Sequence, residues 1–405
     1  MPTETVVVAG HIVDSLILAK VLDLVVDAGA DYVMAEVVIG RTNLDPSHAR
    51  IELTHDDADA LDALCERLAV HGASRVGDID AELVVADRDG VLPAGFHATT
   101  NLATDVRVGG RWRSVENPEM DCGLVISDDA VRTVPMHGVR AGDRVVVGHG
   151  GVRTHAPSSA RGVRNFEFMT SEVSSEKPKA LLVVQVAERV RAARAAGRRV
   201  LAVCGPAVVH TGGAPDVARL VRAGWIDVLF AGNGFATHDM ESNVHGTSLG
   251  VSVTSGGGVE GGHSNHLRLI NEVRRHGSIA AAVEAGFITG GTMYECVRAG
   301  VPFVLGGSIR DDGPLPDVLT DVVAAADAMR ALVAGVGVAL MLASTLHAIA
   351  TGNVLPAGVE TFCVDINQAV VTKLADRGSH QALGVVTDVG PFVGGLADEL
   401  CGIGS

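Results

Sequence analysis

The chain reads as an α/β protein: a C-terminal Rossmann-like parallel-sheet domain preceded by a ferredoxin-like α+β segment and a small β-barrel or sandwich. Three observations predict this. From about residue 179 onward, apolar runs end in small or polar residues and are followed by helical periodicity, again and again. Residues 1–80 alternate strand and helix in a βαββαβ order. Between residues 81 and 175 helical periodicity disappears, and short β-rich runs are separated by turn residues. The expected divisions are therefore 1–80, 81–175 and 176–405.

Composition narrows the class. The chain has 405 residues, 47% hydrophobic, with 49 glycines and a net charge of −16. That length and apolar content suit two or three domains with sizeable cores. The acidic balance argues against a phosphate-backbone partner, and 3% aromatic content leaves few stacking platforms for single strands. The six cysteines form no C-x-x-C pair, which favours a reduced, cytoplasmic protein. MPTETVVVAGH has no basic stretch before an apolar one, so no secretory signal is expected. The apolar run from Ala331 to Leu346 is too short to span a membrane and reads as a buried helix.

Taken in order, Val6–Val8 is a strand, Asp14 caps a helix over 15–27, and Gly29 stops it. Strands follow at 32–39 and 49–54, then a helix from 57 to about 70 closed by His71-Gly72, with a last strand starting at Val76. The barrel strands are expected at 83–86, 105–108, 123–126 and 144–147. Residues 157–178, rich in Ser, Arg and Glu, read as a linker or lid. In the last part, helices are expected at 180–196, 215–223, 278–285, 293–299, 317–334 and 369–376. The expected strands are 200–204, 228–231, 301–306, 361–364 and 383–387.

The chemistry concentrates at the ends of those last strands. Ligands of open parallel sheets bind beyond the carboxyl ends of the strands. Gly205, Gly232-Asn233-Gly234, the segment 308–312, Asp365-Ile366-Asn367 and Asp388-Val389-Gly390 share that edge. An acid directly after a strand suits the paired hydroxyls of a ribose, and equally suits capping the next helix. Neither G-x-G-x-x-G on a strand–helix turn nor G-x-x-x-x-G-K-[ST] is present, so neither ordinary phosphate loop is expected. His263-x-x-His266 invites a metal reading, but no H-E-x-x-H exists; a substrate-binding or proton-relay role fits better, and no metal is expected. A second cluster, Glu116 to Cys122, places Glu119, Asp121 and Cys122 together, as a general base or, if a basic partner lowered the thiol pKa, a nucleophile. A solvated turn would look the same.

Longer motifs add a resemblance over nearly the whole chain. GHIVDSLILAKVLD resembles the conserved region of bifunctional lysine-oxoglutarate reductase/saccharopine dehydrogenase (LOR/SDH). VENPEMDC, AGNGFATHD, EGGHSNHLR, GSIRDDGPLPDV and CVDIN resemble archaeal-type NAD-dependent ornithine cyclodeaminases, and the C-terminal part of cyanobacterial arginine dihydrolase/ornithine cyclodeaminases. Gly234-Phe235 and Gln368 depart from the family pattern, which favours an Ala-Leu-like pair and a proline. The resemblance implies a nucleotide domain similar to that of deoxyhypusine synthase, tightly held NAD, and conversion of ornithine to proline and ammonia. It implies NAD contacts at Asn233, Gly234, Asp312, Thr345, His347, Asp365, Asn367, Asp388 and Val389. Asp121 or Glu119 is then the expected base, Cys122 lies beside them, and His263 and His266 lie on the substrate side. A homo-oligomer, dimer or tetramer, is expected. A saccharopine-type NAD(P) oxidoreductase and a non-catalytic amino-acid sensor are the competing readings.

Overall fold

A computed structural model describes the chain except residues 11, 14–15, 42–44, 70, 77–78, 128–129, 156–178, 249–250, 253–263, 312, 371–372, 374–381 and 403–405. The expected Asp14 cap, the linker 157–178 and most of the helix expected at 369–376 lie outside the described residues. The chain divides into two compact units. The first holds the described residues up to His155 with Leu355–Gly358, and the second holds the described remainder.

The first unit begins β1 (Thr3–Gly10), α1 (Ile17–Asp27), β2 (Asp31–Val38), β3 (Ser47–Thr54), α2 (Ala58–Ala69) and β4 (Ala73–Arg75). These strands form one antiparallel sheet in the order β2-β3-β1-β4. Alternation builds its core: Ala49, Ile51 and Leu53 of β3 face inward with Val6 and Val8 of β1. Leu61, Leu64 and Leu68 of α2 cover them at helical spacing. The last strand starts earlier than the sequence suggests. Val8 pairs with Ala73 and Val6 with Arg75, so pairing begins directly after the His71-Gly72 turn, and Val76 only donates its N–H to the Thr5 carbonyl.

Two further antiparallel sheets follow, one of β5 (Glu82–Val85), β10 (Arg144–Val147), β8 (Gly123–Ser127) and β9 (Ala130–Val134), the other of β11 (Val152–His155), β6 (Ala103–Val108) and β7 (Arg111–Ser114). Val106, Leu124, Ile126 and Val146 fill the space they enclose. Strands β7 and β11 escape the sequence reading because they carry arginines and polar residues among few apolar ones.

The second unit is a seven-stranded, wholly parallel sheet. Its elements are α3 (Lys179–Ala195), β12 (Arg199–Cys204), α4 (Ala207–His210), α5 (Ala214–Arg222), β13 (Val228–Gly232) and α6 (Asn233–His245). A short hairpin, β14 (Thr247–Ser248) and β15 (Val251–Ser252), precedes α7 (Asn265–His276), α8 (Ile279–Glu284), α9 (Thr292–Ala299), β16 (Phe303–Gly306) and β17 (Val318–Leu319). The chain ends α10 (Val322–Leu332), β18 (Val336–Leu342), α11 (Leu346–Val354), β19 (Glu360–Asp365), β20 (Ala382–Val386) and α12 (Val389–Cys401).

One expectation is corrected here. The apolar run ending at Leu346 is not a buried helix: Val336–Leu342 is strand β18, paired parallel to β12 on one side and β19 on the other. A strand buried on both faces shows no alternation, so its sequence matches that of a buried helix. The polar stretch after Gly232, to which the sequence reading assigned no element, is helical. It is helix α6, and its buried Asp239 and Glu241 accept hydrogen bonds from neighbouring elements. Among the described residues no helix is long and apolar enough to cross a membrane.

Candidate active site

The sheet order β17-β16-β13-β12-β18-β19-β20 places the topological switch between β12 and β18. Successive strands run outward from β12 on one side, then β18 onward on the other, which opens a crevice at their carboxyl ends. The backbone there is packed tightly. The Gly205 N–H donates to the Leu342 carbonyl at 2.9 Å. A Cβ on Gly205 would overlap the Ala343 carbonyl, and Ala343 itself adopts φ 48°. Such strain in a non-glycine residue accumulates at functional sites.

β13 and β16 also end in glycine. His347, in the first turn of α11, reaches over both ends: a Cβ on Gly232 would lie 2.7 Å from its Cε1, and one on Gly306 would lie 3.1 Å from its Nε2. Burial holds the His347 imidazole below its ordinary pKa, with the Gly306 carbonyl opposing. Gly232 is the N-cap of α6 and supplies no side-chain cap, so the first-turn amides face the strand ends, as at many phosphate-binding helix termini. Asn233 is buried, and its Oδ1 accepts the Leu315 N–H at 3.0 Å, tying down the loop before β17.

On the other flank, Asp365 ends β19 and accepts the Asn367 N–H at 2.8 Å. Asp388 caps α12 by accepting the Gly390 N–H at 3.1 Å, and Val389 is buried behind it. Each acid uses Oδ1 in its turn, so capping and ribose binding are compatible roles. Thr345 lies exposed between β18 and α11, directly before the helix. Ile309, Leu346 and Ile366 are exposed apolar side chains at this same edge, a surface suited to flat rings. Asp312 and His263 lie outside the described residues.

Helix α6 carries a second set of polar groups. Glu241 is fully buried; its Oε2 lies 2.9 Å from His238 Nδ1, and its Oε1 accepts the Thr247 hydroxyl at 2.8 Å. Asn265 donates to that hydroxyl at 2.9 Å. His210 of α4 and His266 of α7 flank the His238 ring, with centroids 5.1 Å and 6.3 Å away. Asp239, also fully buried, points the other way and accepts the Thr292 and Met293 amides, each at 2.9 Å, capping α9. Burial pushes its carboxyl up to about 6, against those amides. The sequence reading gave no role to His238, Glu241 or His210. The i,i+3 spacing of His238 and Glu241 was the available signal, once the stretch is recognised as helix.

In the first unit, the loop before β8 brings Glu119, Asp121 and Cys122 together. The Thr99 hydroxyl organises it, donating to the Glu119 carbonyl at 2.6 Å and accepting the Cys122 N–H at 3.0 Å. Asn117 and Asp121 take left-handed backbone, φ 47° and 61°, and the Asp121 side chain is exposed. Glu119 is buried, and Cys122 is 1% exposed at the edge of the core, away from solvent.

A doubly wound parallel sheet with glycine-ended strands, an uncapped helix N-terminus and post-strand acids defines a Rossmann-like nucleotide-binding protein. Comparison with known proteins specifies the family. Residues 184–396 match the family "Arginine dihydrolase ArgZ-like, C-terminal, Rossmann fold", residues 103–183 its first region, and residues 3–102 the LOR/SDH bifunctional enzyme conserved region. The chain belongs to this family. It is 49% identical over 403 residues to the ornithine cyclodeaminase of Methanothermobacter thermautotrophicus, covering 99% of this chain and 98% of that one. It is 42% identical to the bifunctional arginine dihydrolase/ornithine cyclodeaminase AgrE of Nostoc, covering 97% of this chain and 57% of that one. The crystal structure of apo ArgZ, a cyanobacterial arginine dihydrolase, superposes with TM-score 0.84 at 37% identity, over 99% of this chain and 58% of that one. The ternary complex of AgrE with ornithine and NAD+ superposes with TM-score 0.54 at 40% identity, over all of this chain and 58% of that one.

Proposed function

We infer that this chain is an NAD-dependent ornithine cyclodeaminase, converting L-ornithine to L-proline and ammonia and restoring NAD in each turnover. The observation that carries the reading is the strand-end edge of the doubly wound sheet, set in a chain that ornithine cyclodeaminases match from end to end. When bound, NAD supplies a hydride acceptor for the substrate α-carbon and then the donor that reduces the cyclic imine.

The residues present fit that cofactor. The first-turn amides of α6, at Asn233 and Gly234, suit its pyrophosphate. Asp365 and Asp388 suit ribose hydroxyls. Asn367, Thr345, His347 and Val389 line the remaining edge, and the family resemblance adds Asp312. Because the cofactor is regenerated in place, orientation and retention matter more than a strong external acid. The α-ammonium must lose a proton before hydride can leave. Asp121 is the favoured acceptor, with Glu119 the neighbouring carboxylate and Cys122 behind them. His263 or His266 would hold the substrate carboxylate.

The finer architecture belongs to the same proposal. The β2-β3-β1-β4 order supports a ferredoxin-like N-terminal domain over 1–80, and the paired sheets support a barrel-like domain over 81–175, ahead of a nucleotide domain over 176–405 resembling deoxyhypusine synthase. A cytoplasmic homo-oligomer completes it, to be checked by light scattering.

The direct test is native mass spectrometry for a retained dinucleotide, followed by a proline and ammonia assay with ornithine. Absence of dinucleotide, with no binding of added NAD, removes the reading. Steady build-up of free reduced nicotinamide would instead identify a saccharopine-type oxidoreductase. Asp121→Asn with full turnover and NAD retained would show that the base lies elsewhere.

A further inference from the structure

We propose that the His238–Glu241 pair accepts the proton of the substrate's terminal amine, the amine that closes the ring. This rests on the ornithine reading above and deepens it. Ornithine brings two ammonium groups, and the two must be deprotonated for different purposes. The α-amine loses a proton so that oxidation can occur. The terminal amine loses one so that its lone pair can attack the resulting imine carbon. The acid loop around Asp121 accounts for one acceptor only.

The second acceptor has a specific construction in α6. Glu241 is completely buried, and both its oxygens are assigned: one to the Thr247 hydroxyl at 2.8 Å, the other to His238 Nδ1 at 2.9 Å. Asn265 fixes Thr247 in turn. A carboxylate on Nδ1 sets the imidazole tautomer and leaves Nε2 to exchange protons. The pair begins five residues past Asn233, about 7.5 Å along the helix axis from the strand-end edge. The surroundings continue the path outward. His210 of α4, its ring 5.1 Å from that of His238, is exposed and bonded to Ser248 Oγ at 2.8 Å. Burial and the neighbouring His238 lower the His210 pKa, with Glu241 opposing, which favours the neutral ring that can pass a proton on. His266 of α7 has its ring 6.3 Å from that of His238. A purely structural tie between α6 and the hairpin would need none of these imidazoles. Asp239, two residues away, is such a tie: it accepts the Thr292 and Met293 amides and meets no imidazole.

The step balances. The terminal ammonium gives its proton to His238 Nε2, and the freed lone pair forms the new N–Cα bond to the protonated imine while the C=N π pair moves to the original nitrogen. A proton shifts from the new ring nitrogen to the original amine; the ring-nitrogen lone pair then forms the cyclic C=N bond as the bond from Cα to that amine breaks, and ammonia leaves. The proton held on His238 is returned to the ammonia, which departs as ammonium. No outside oxidant or reductant enters this step.

The test separates oxidation from ring closure. Glu241→Gln and His238→Asn are mixed with ornithine in a single turnover, with reduced-nicotinamide absorbance and quenched proline followed together. The expected result is retained NAD, reduction at close to the wild-type rate, persistence of the reduced cofactor, and proline formation slowed on the order of 10²-fold. His210→Asn, at the exposed end, carries the same test where the fold does not depend on a buried pair: reduction is unchanged and proline appears several-fold more slowly. Proline at the wild-type rate in all three variants overturns the proposal. So does loss of reduction and proline together while NAD remains bound, which would place the pair in the oxidation step. If the wild-type protein makes no proline, the ornithine reading fails and not this assignment alone.

Discussion

Helix α6 has two polar faces that look alike in sequence and differ in the folded protein. Toward α9 it presents Asp239, and toward α4, α7 and the hairpin it presents His238 and Glu241. Both carboxylates are completely buried. Asp239 is held by the Thr292 and Met293 amides with help from the Thr292 side chain, none of which titrates. Glu241 is held by a hydroxyl and an imidazole, groups that rotate and exchange protons. A buried charge met by backbone amides builds structure, whereas one met by an ionisable side chain stores chemistry.

The contrast is open to attack in order of expected effect. Asp239→Ala should cost most, about 3–4 kcal/mol, because it leaves two buried amides unmet and a cavity behind them; urea unfolding measures it. If the loss were under about 1 kcal/mol, Asp239 would not be the strut described. The pH dependence comes next. The folded-state carboxyl titrates near 6, above the ordinary aspartate value of about 3.9. The folded state therefore binds its proton more tightly, and the associated stability is complete below about 4 and lost as pH rises through about 6. Relative to Asp239→Asn, wild-type stability should fall by about 3 kcal/mol across that window.

Gly291→Ala probes the same strut from the other side. Gly291 has φ 99°, and a Cβ there would lie 2.6 Å from Asn243 Nδ2 and 2.7 Å from Asp239 Oδ2, so a loss of about 2 kcal/mol is expected in thermal unfolding. The smallest effect on stability belongs to the other face. Ser248→Ala removes the partner of His210 at a part-buried site and should cost less than about 1 kcal/mol. An equal loss on both faces would erase the distinction.

Much of this was legible in the chain. The strand-end residues Gly205, Gly232, Asp365 and Asp388 could be placed at one sheet edge because each directly follows or ends an apolar run, although the acids alone do not separate ligand binding from helix capping. The alternation of β3 and the helical spacing of α2 gave the first sheet. Val336–Leu342 did not announce itself, because a strand flanked on both sides and buried on both faces has lost its period. Misplacing it hides the switch point, which exists only between β12 and β18.

The sequence by itself determined the α/β class, the carboxyl-edge residues and, through long motifs, the family. Local chemistry suffices there, since turn residues, caps and periodicity act over a few neighbours. Tertiary structure alone decided which buried acid is a strut and which is paired with histidine. Asp239 and Glu241 lie on one helix, and only the packing of α9 on one side, and of α4, α7 and the hairpin on the other, gives each its partner.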